Sequence, residues 1–178
     1  MSKLLLVSAL CVTLAGVVAG QAPAPELTVG AKAPAFSLPG TDGTTHTLSD
    51  YAGQHVVVAW YPAALSRGCT IECRSIRDAK ATIDEYKVAY FMASVDTPEK
   101  NLEFAKMEEA NFPMLSDPAK TVAAAYGVLN QRGVADRWTF YIGPDGTVVH
   151  IDKTVNADVG NAGQILAAKL AELNVPKK

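Results

Sequence analysis

A cysteine set between a buried strand and a helix leaves a chain few folds to choose from, and Val56 to Asp78 (VVVAWYPAALSRGCTIECRSIRD) is written that way. The apolar run Val56 to Tyr61 does not alternate, so it reads as a central strand covered on both faces. Pro62 closes it, and a loop of small and polar residues leads to Cys69 and Cys73, which open a helix. The inner face of that helix continues through Ile76, Ala79, Ile83 and Tyr86 at three- and four-residue intervals. A helix N-terminus carries roughly half a positive charge. A free thiol with pKa ~8.5 is pulled down there, or beside a cation. The arrangement predicts a reactive thiolate at Cys69.

The other cysteines sharpen this. Residues 1–20 begin with Lys3, run apolar from Leu4 to Val18 and end on Ala19-Gly20. That is the pattern of a secretory signal peptide. The competing reading is an uncleaved membrane anchor, since the apolar run approaches the ~20 residues a bilayer needs. Cleavage discards Cys11, and the exported protein, periplasmic or secreted, keeps Cys69 and Cys73. Its compartment favours disulfides. A bridge between thiols four residues apart closes too small a loop to staple a fold, so the pair points to chemistry. No stable membrane association is expected after cleavage. The formal net charge of −2, with no basic run, excludes a nucleic-acid footprint.

A lead-in spans residues 21–28, and residues 29–178 make one domain. Val29 to Leu38 and Thr44 to Leu48 flank the turn Thr41-Asp42-Gly43 as a hairpin. Val88 to Val95 is a second apolar strand. Thr97-Pro98-Glu99 starts a helix to about Glu109, with Leu102, Phe104, Ala105 and Met107 on its buried side. Phe112 to Leu115 is a brief strand, and Ser116-Asp117-Pro118 caps a helix that runs to Tyr126 and stops at Gly127. Arg137 to Ile142 and Thr147 to Ile151 pair around Gly143-Pro144-Asp145-Gly146. A last helix covers about Gln164 to Leu173, with Ile165, Leu166, Leu170 and Leu173 inward. Strands alternating with helices predict an α/β, thioredoxin-like sandwich: a mixed central β-sheet flanked by helices, with an N-terminal β-hairpin.

With these residues laid out, the chain resembles the peroxiredoxins from Val29 to about Leu173. Pro62 to Cys69 (PAALSRGC) fits that family's pattern of proline, three residues, threonine or serine, two residues, cysteine. Arg137, opening the Trp138-Thr139-Phe140 strand, lies where the family's catalytic arginine is expected. The short tail and a second cysteine inside the first helix are most similar to the bacterioferritin-comigratory (Q-type) branch. The resemblance implies that Cys69 attacks a peroxide oxygen and becomes a sulfenic acid. It implies that Arg137 keeps the thiolate charged and stabilises the developing oxyanion. The Ser66 hydroxyl would hydrogen-bond thiolate and peroxide, and Pro62 would shield the pocket wall. It further implies a thiol peroxidase acting on hydrogen peroxide and small organic hydroperoxides, without metal or prosthetic group. A thioredoxin-like or other dithiol reductant would recycle it, as a monomer or weak dimer.

The sequence departs from that pattern in three places. Ser66 stands where threonine is commoner. Arg67 follows it, where the family usually has an uncharged residue. The Q-type resolving cysteine usually lies five residues after the nucleophile, but here Arg74 fills that place and Cys73 sits at four. On a helix that spacing puts Cβ atoms roughly 5–6 Å apart, against the 3.5–4.5 Å or so a disulfide needs. Cys73 is therefore a candidate resolver only if the first turn opens. The alternative is a small core residue in a one-cysteine enzyme served by an external thiol.

Arg132, in the preceding loop, is the rival of Arg137. Among other functions, Cys-x-x-x-Cys at a helix start also resembles copper chaperones of thioredoxin-like fold. None of His46, His55 and His150 lies in the loop before Arg137, where a third copper ligand would be expected. A thiol–disulfide oxidoreductase would normally carry Cys-x-x-Cys.

Overall fold

The computed structural model describes residues 27–178. The expected signal peptide and most of the lead-in lie outside the described residues. The elements follow in the order β1 (Ser37–Pro39), β2 (Thr45–Thr47), β3 (His55–Trp60), α1 (Arg67–Asp78), α2 (Lys80–Ile83) and β4 (Val88–Ser94). Then come α3 (Pro98–Met107), β5 (Met114–Ser116), α4 (Thr121–Ala125), β6 (Thr139–Ile142), β7 (Val148–Asp152) and α5 (Ala162–Glu172).

The main sheet has the order β5-β4-β3-β6-β7, with β3 parallel to β4, β4 parallel to β5, and β6 and β7 antiparallel. β1 and β2 form the separate hairpin, with Leu38 opposite His46. This is the thioredoxin-like mixed sheet expected. β3 is central, and its residues divide between two cores. Val57 and Ala59 face a layer holding α1, α2, α5 and Phe104 of α3. Val56, Val58 and Trp60 face Phe36 and Leu38 of the hairpin region, Tyr126 and Phe140. A strand buried on both faces has no polar side, which is why its sequence shows no alternation.

Several boundaries and faces differ from the sequence reading, the first hairpin strand, for one, being only Ser37–Pro39. The helix that holds the cysteines starts at Arg67, two residues early, and breaks at Ala79 before the short α2. Ile76, Ala79, Ile83 and Tyr86 are nonetheless all buried. In α3, Phe104 and Ala105 are buried, but Leu102 is 38% and Met107 63% exposed, and Asn101 takes the inner position instead. Asn101 accepts from Tyr61 Oη and Ser94 Oγ and donates to the Leu115 carbonyl and Ser116 Oγ, so a fully bonded amide fills a place that hydropathy assigns to Leu102. The helix after β5 begins only at Thr121, because Lys120 is left-handed (φ 62°). Asp117 Oδ2 accepts from the Ala123 N–H at 2.7 Å. Lastly, β6 begins at Thr139, so Arg137 stands in the loop before the strand rather than opening it.

Candidate active site

The site lies at the C-terminal ends of parallel strands β3 and β4, where open α/β sheets leave a crevice. The loop from Tyr61 to Ser66 is held to that edge. Tyr61 donates its N–H to the Ala93 carbonyl at 2.9 Å and its hydroxyl to Asn101 Oδ1 at 2.8 Å. The Ala64 N–H donates to Asp96 Oδ2 at 2.7 Å, and Asp96 is itself paired with Lys100. Leu65 takes a left-handed φ of 66°, a conformation that costs a branched residue roughly 1–2 kcal/mol. It turns the chain into α1. Ser66 is the N-cap residue, with extended backbone and its carbonyl accepting from the Thr70 N–H at 2.9 Å. Its hydroxyl makes no capping bond. Cys69 is therefore the third residue of the helix, within the first turn, where the backbone N–H groups have no intrahelical acceptor. Cys69 is fully buried, while Pro62 and Ser66 in the preceding loop are half-buried.

Across the sheet, the segment before β6 delivers Arg137. The Asp136 N–H donates to the Val128 carbonyl at 2.7 Å, Asn130 Nδ2 donates to Asp136 Oδ1 at 2.9 Å, and the Trp60 N–H donates to the Trp138 carbonyl at 2.9 Å. Held on both sides, Arg137 is only 5% exposed and its Nη2 donates to Cys69 Sγ at 3.2 Å. Its rival Arg132 is exposed in the preceding loop, and Arg67 is exposed at the first helical position. The guanidinium passes close over Gly68, where a Cβ would stand 3.3 Å from Nη2. A larger side chain there crowds the cation.

Two residues complete the site that the sequence reading left out. Glu72, one turn after Cys69 and fully buried, accepts from Arg137 Nη1. Asn156, in the 3-10 turn Val155–Ala157, accepts from Arg137 Nε at 2.9 Å. Burial pushes the Glu72 carboxyl up to about 7, with the charge and hydrogen bond of Arg137 working the other way. Burial also works against Arg137, yet the charges of Glu72 and Cys69 raise its pKa overall. The helical i, i+3 spacing of Cys69 and Glu72 was the available signal for the acid. Asn156 offered none, being an exposed polar residue in an irregular turn.

Cys73 lies on the same buried stripe of α1 as Cys69, Glu72 and Ile76. Both cysteines are free thiols. Burial, reinforced by the charges of Glu108 and Glu72, pushes the Cys73 thiol up to about 12. Nearby, Arg74 Nε donates to Glu108 Oε2 at 2.6 Å and Arg77 Nη1 to the Glu108 carbonyl at 2.8 Å. Among the described residues no group of three or more His, Cys, Asp or Glu could hold a metal ion. His46 is instead bonded to Tyr51 Oη at 2.5 Å and to both Asp42 carboxylate oxygens at 3.1 Å.

A thiol at a helix start, paired with a buried guanidinium on a thioredoxin-like sheet, defines a redox protein that works through cysteine. The chain belongs to the AhpC/TSA family, whose family model matches residues 29–151. It is similar to peroxiredoxin Bcp of Escherichia coli K12, with 36% identity over 132 residues, covering 70% of this chain and 85% of that protein. Among solved structures it is similar to peroxidoxin BcpB of Mycobacterium tuberculosis, with TM-score 0.67 and 30% identity over 79% of this chain and 98% of that one. It is also similar to peroxiredoxin Q of Xanthomonas campestris, with TM-score 0.70 and 25% identity over 77% of this chain and 90% of that one. These relatives carry the names of the bacterioferritin-comigratory, or Q-type, peroxiredoxins that the sequence pattern resembles.

Proposed function

We propose that this chain is a thiol-dependent peroxidase whose nucleophile is Cys69. The observation that carries the reading is the bond from Arg137 Nη2 to Cys69 Sγ at 3.2 Å, made between two buried side chains in the first turn of a helix. The thiolate sulfur attacks one oxygen of hydrogen peroxide or a small organic hydroperoxide. The O–O bond breaks, Cys69 becomes a sulfenic acid, and the other oxygen leaves as water or an alcohol after taking a proton. Arg137 donates to the attacking sulfur and then to the oxygen on which charge develops. Ser66 is the proposed hydroxyl partner of thiolate and peroxide, and Pro62 the wall that keeps water out.

Cys73 is the proposed resolving thiol. It attacks the Cys69 sulfenic sulfur and releases water, and a thioredoxin-like dithiol then reduces the disulfide. The step needs the first turn of α1 to open, since both thiols are buried on one helical stripe. Opening also returns Cys73 to water, removing the burial that keeps it protonated. That burial equally favours a second reading, in which Cys73 is a core residue and an external thiol reduces Cys69.

Intact mass after one equivalent of peroxide separates the two. Wild type is expected to lose two hydrogens and Cys73→Ser to gain one oxygen. One oxygen gained in both would overturn the resolving role, and no change in wild type would overturn the peroxidase.

Export, with residues 1–20 removed, is the proposed localisation on the strength of the Lys3, apolar and small-residue pattern. N-terminal sequencing of the protein recovered from the periplasm or medium tests it.

A further inference from the structure

The guanidinium of Arg137 has one acceptor on each of its three nitrogens. Glu72 takes Nη1, Cys69 takes Nη2 and Asn156 takes Nε. Two of the three acceptors belong to the first half of α1, one turn apart. The third comes from a separate segment, the 3-10 turn that follows β7. Val155 beside it is buried in the same core layer as Cys69, Cys73 and Ile76, and both the Thr154 N–H and its Oγ1 donate to Asp152 Oδ1 at 2.7 Å. Asp152 closes β7, so the turn is fixed to the sheet.

The partition matters because a bond between Cys69 and Cys73 requires the start of α1 to open. Opening the first turn withdraws Cys69 from Arg137, while Glu72 lies one turn further along the same helix. We infer that Asn156 is a positioning residue for Arg137, keeping its guanidinium at the mouth of the site whether α1 is closed or open. This rests on the peroxidase reading above. A bond at Nε also fixes the rotation of the planar guanidinium, so that the Nη2 edge meets the sulfur. An amide suits this task because it accepts without cancelling charge. Glu72 already offsets part of the cation, and a second carboxylate would offset more.

The test measures two properties of the purified protein for wild type, Asn156→Ala and Asn156→Asp. The first is the rate of iodoacetamide alkylation at Cys69 against pH, located by peptide mapping. The second is the second-order rate with hydrogen peroxide. Asn156→Ala is expected to slow the peroxide reaction about tenfold, since a guanidinium free to turn loses its alignment. Asn156→Asp keeps an acceptor, yet its charge is expected to move the alkylation profile upward by on the order of one pH unit. The inference is overturned if both variants stay within twofold of wild type in both measurements. It is equally overturned if they lose only thermal stability while the alkylation profile stays in place. A wild-type protein that alkylates at Cys69 yet ignores peroxide would sink the peroxidase reading alone, because the alkylation profile still decides the role of Asn156.

Discussion

Arg137 carries a full charge into a place nearly without water, and Glu72 is what makes that tolerable. Removing one partner of a buried ion pair strands the other, at roughly 3–5 kcal/mol. Arg137→Met is accordingly expected to lose about that much stability as well as its reaction with peroxide. Arg137→Met combined with Glu72→Gln should regain most of the stability and none of the rate, since the acid no longer needs a cation but the sulfur still does. Urea denaturation and stopped-flow peroxide kinetics on the two variants check this. Recovery of both properties in the double variant would mean that Arg137 serves only the fold. The free oxygen Oε1 of Glu72 has no hydrogen-bond partner, which is part of the reason its carboxyl resists ionisation.

α1 is held differently along its length, and that decides where it opens. Its later turns are pinned to α5: Ser75 Oγ accepts from the Gly163 N–H at 3.0 Å and donates to Gln164 Oε1 at 3.1 Å. The two helices approach so closely there that a Cβ on Gly163 would lie 2.2 Å from the Ser75 carbonyl oxygen. Gly163→Ala is expected to cost roughly 1–3 kcal/mol in urea denaturation by forcing the helices apart, and a cost under half a kcal/mol would show that they slide freely. The first turn, by contrast, has the long contact of 3.4 Å from Thr70 Oγ1 to Glu108 Oε1 and the cluster around Arg137. The loop ahead of it depends on Asn101 in α3. Asn101→Ala leaves Tyr61 Oη, Ser94 Oγ and a β5 carbonyl with lost partners, a change expected to cost on the order of 3 kcal/mol. Because Tyr61 begins the loop that carries Ser66, peroxide reactivity should fall in the same variant, and unaltered kinetics would detach α3 from the site.

At the scale of the whole molecule, proton binding couples the site to the stability of the fold. The Glu72 carboxyl sits at about 7 in the folded chain, above the 4.5 of an unburied one. Between those values the native state keeps a proton that the unfolded chain has released. Its contribution to stability is thus complete below the lower value and is lost as pH rises through the higher. Thermal denaturation from about pH 5 to pH 8 should show a fall that Glu72→Gln flattens, and an identical fall in both proteins would place its origin elsewhere. No helix among the described residues is long and apolar enough to cross a membrane. Much of this molecule was legible in the linear chain. The unalternating β3, the Thr97-Pro98 helix start and the Gly143–Gly146 turn all follow from local rules, because hydrophobic period and turn chemistry act between near neighbours. Arg137 was found by its place in a family pattern. The partners of that cation were not legible, and neither was the inward turn of Asn101. Glu72 and Asn156 lie 65 and 19 positions from Arg137, and a polar side chain declares its value only when folding removes water and supplies the group it bonds.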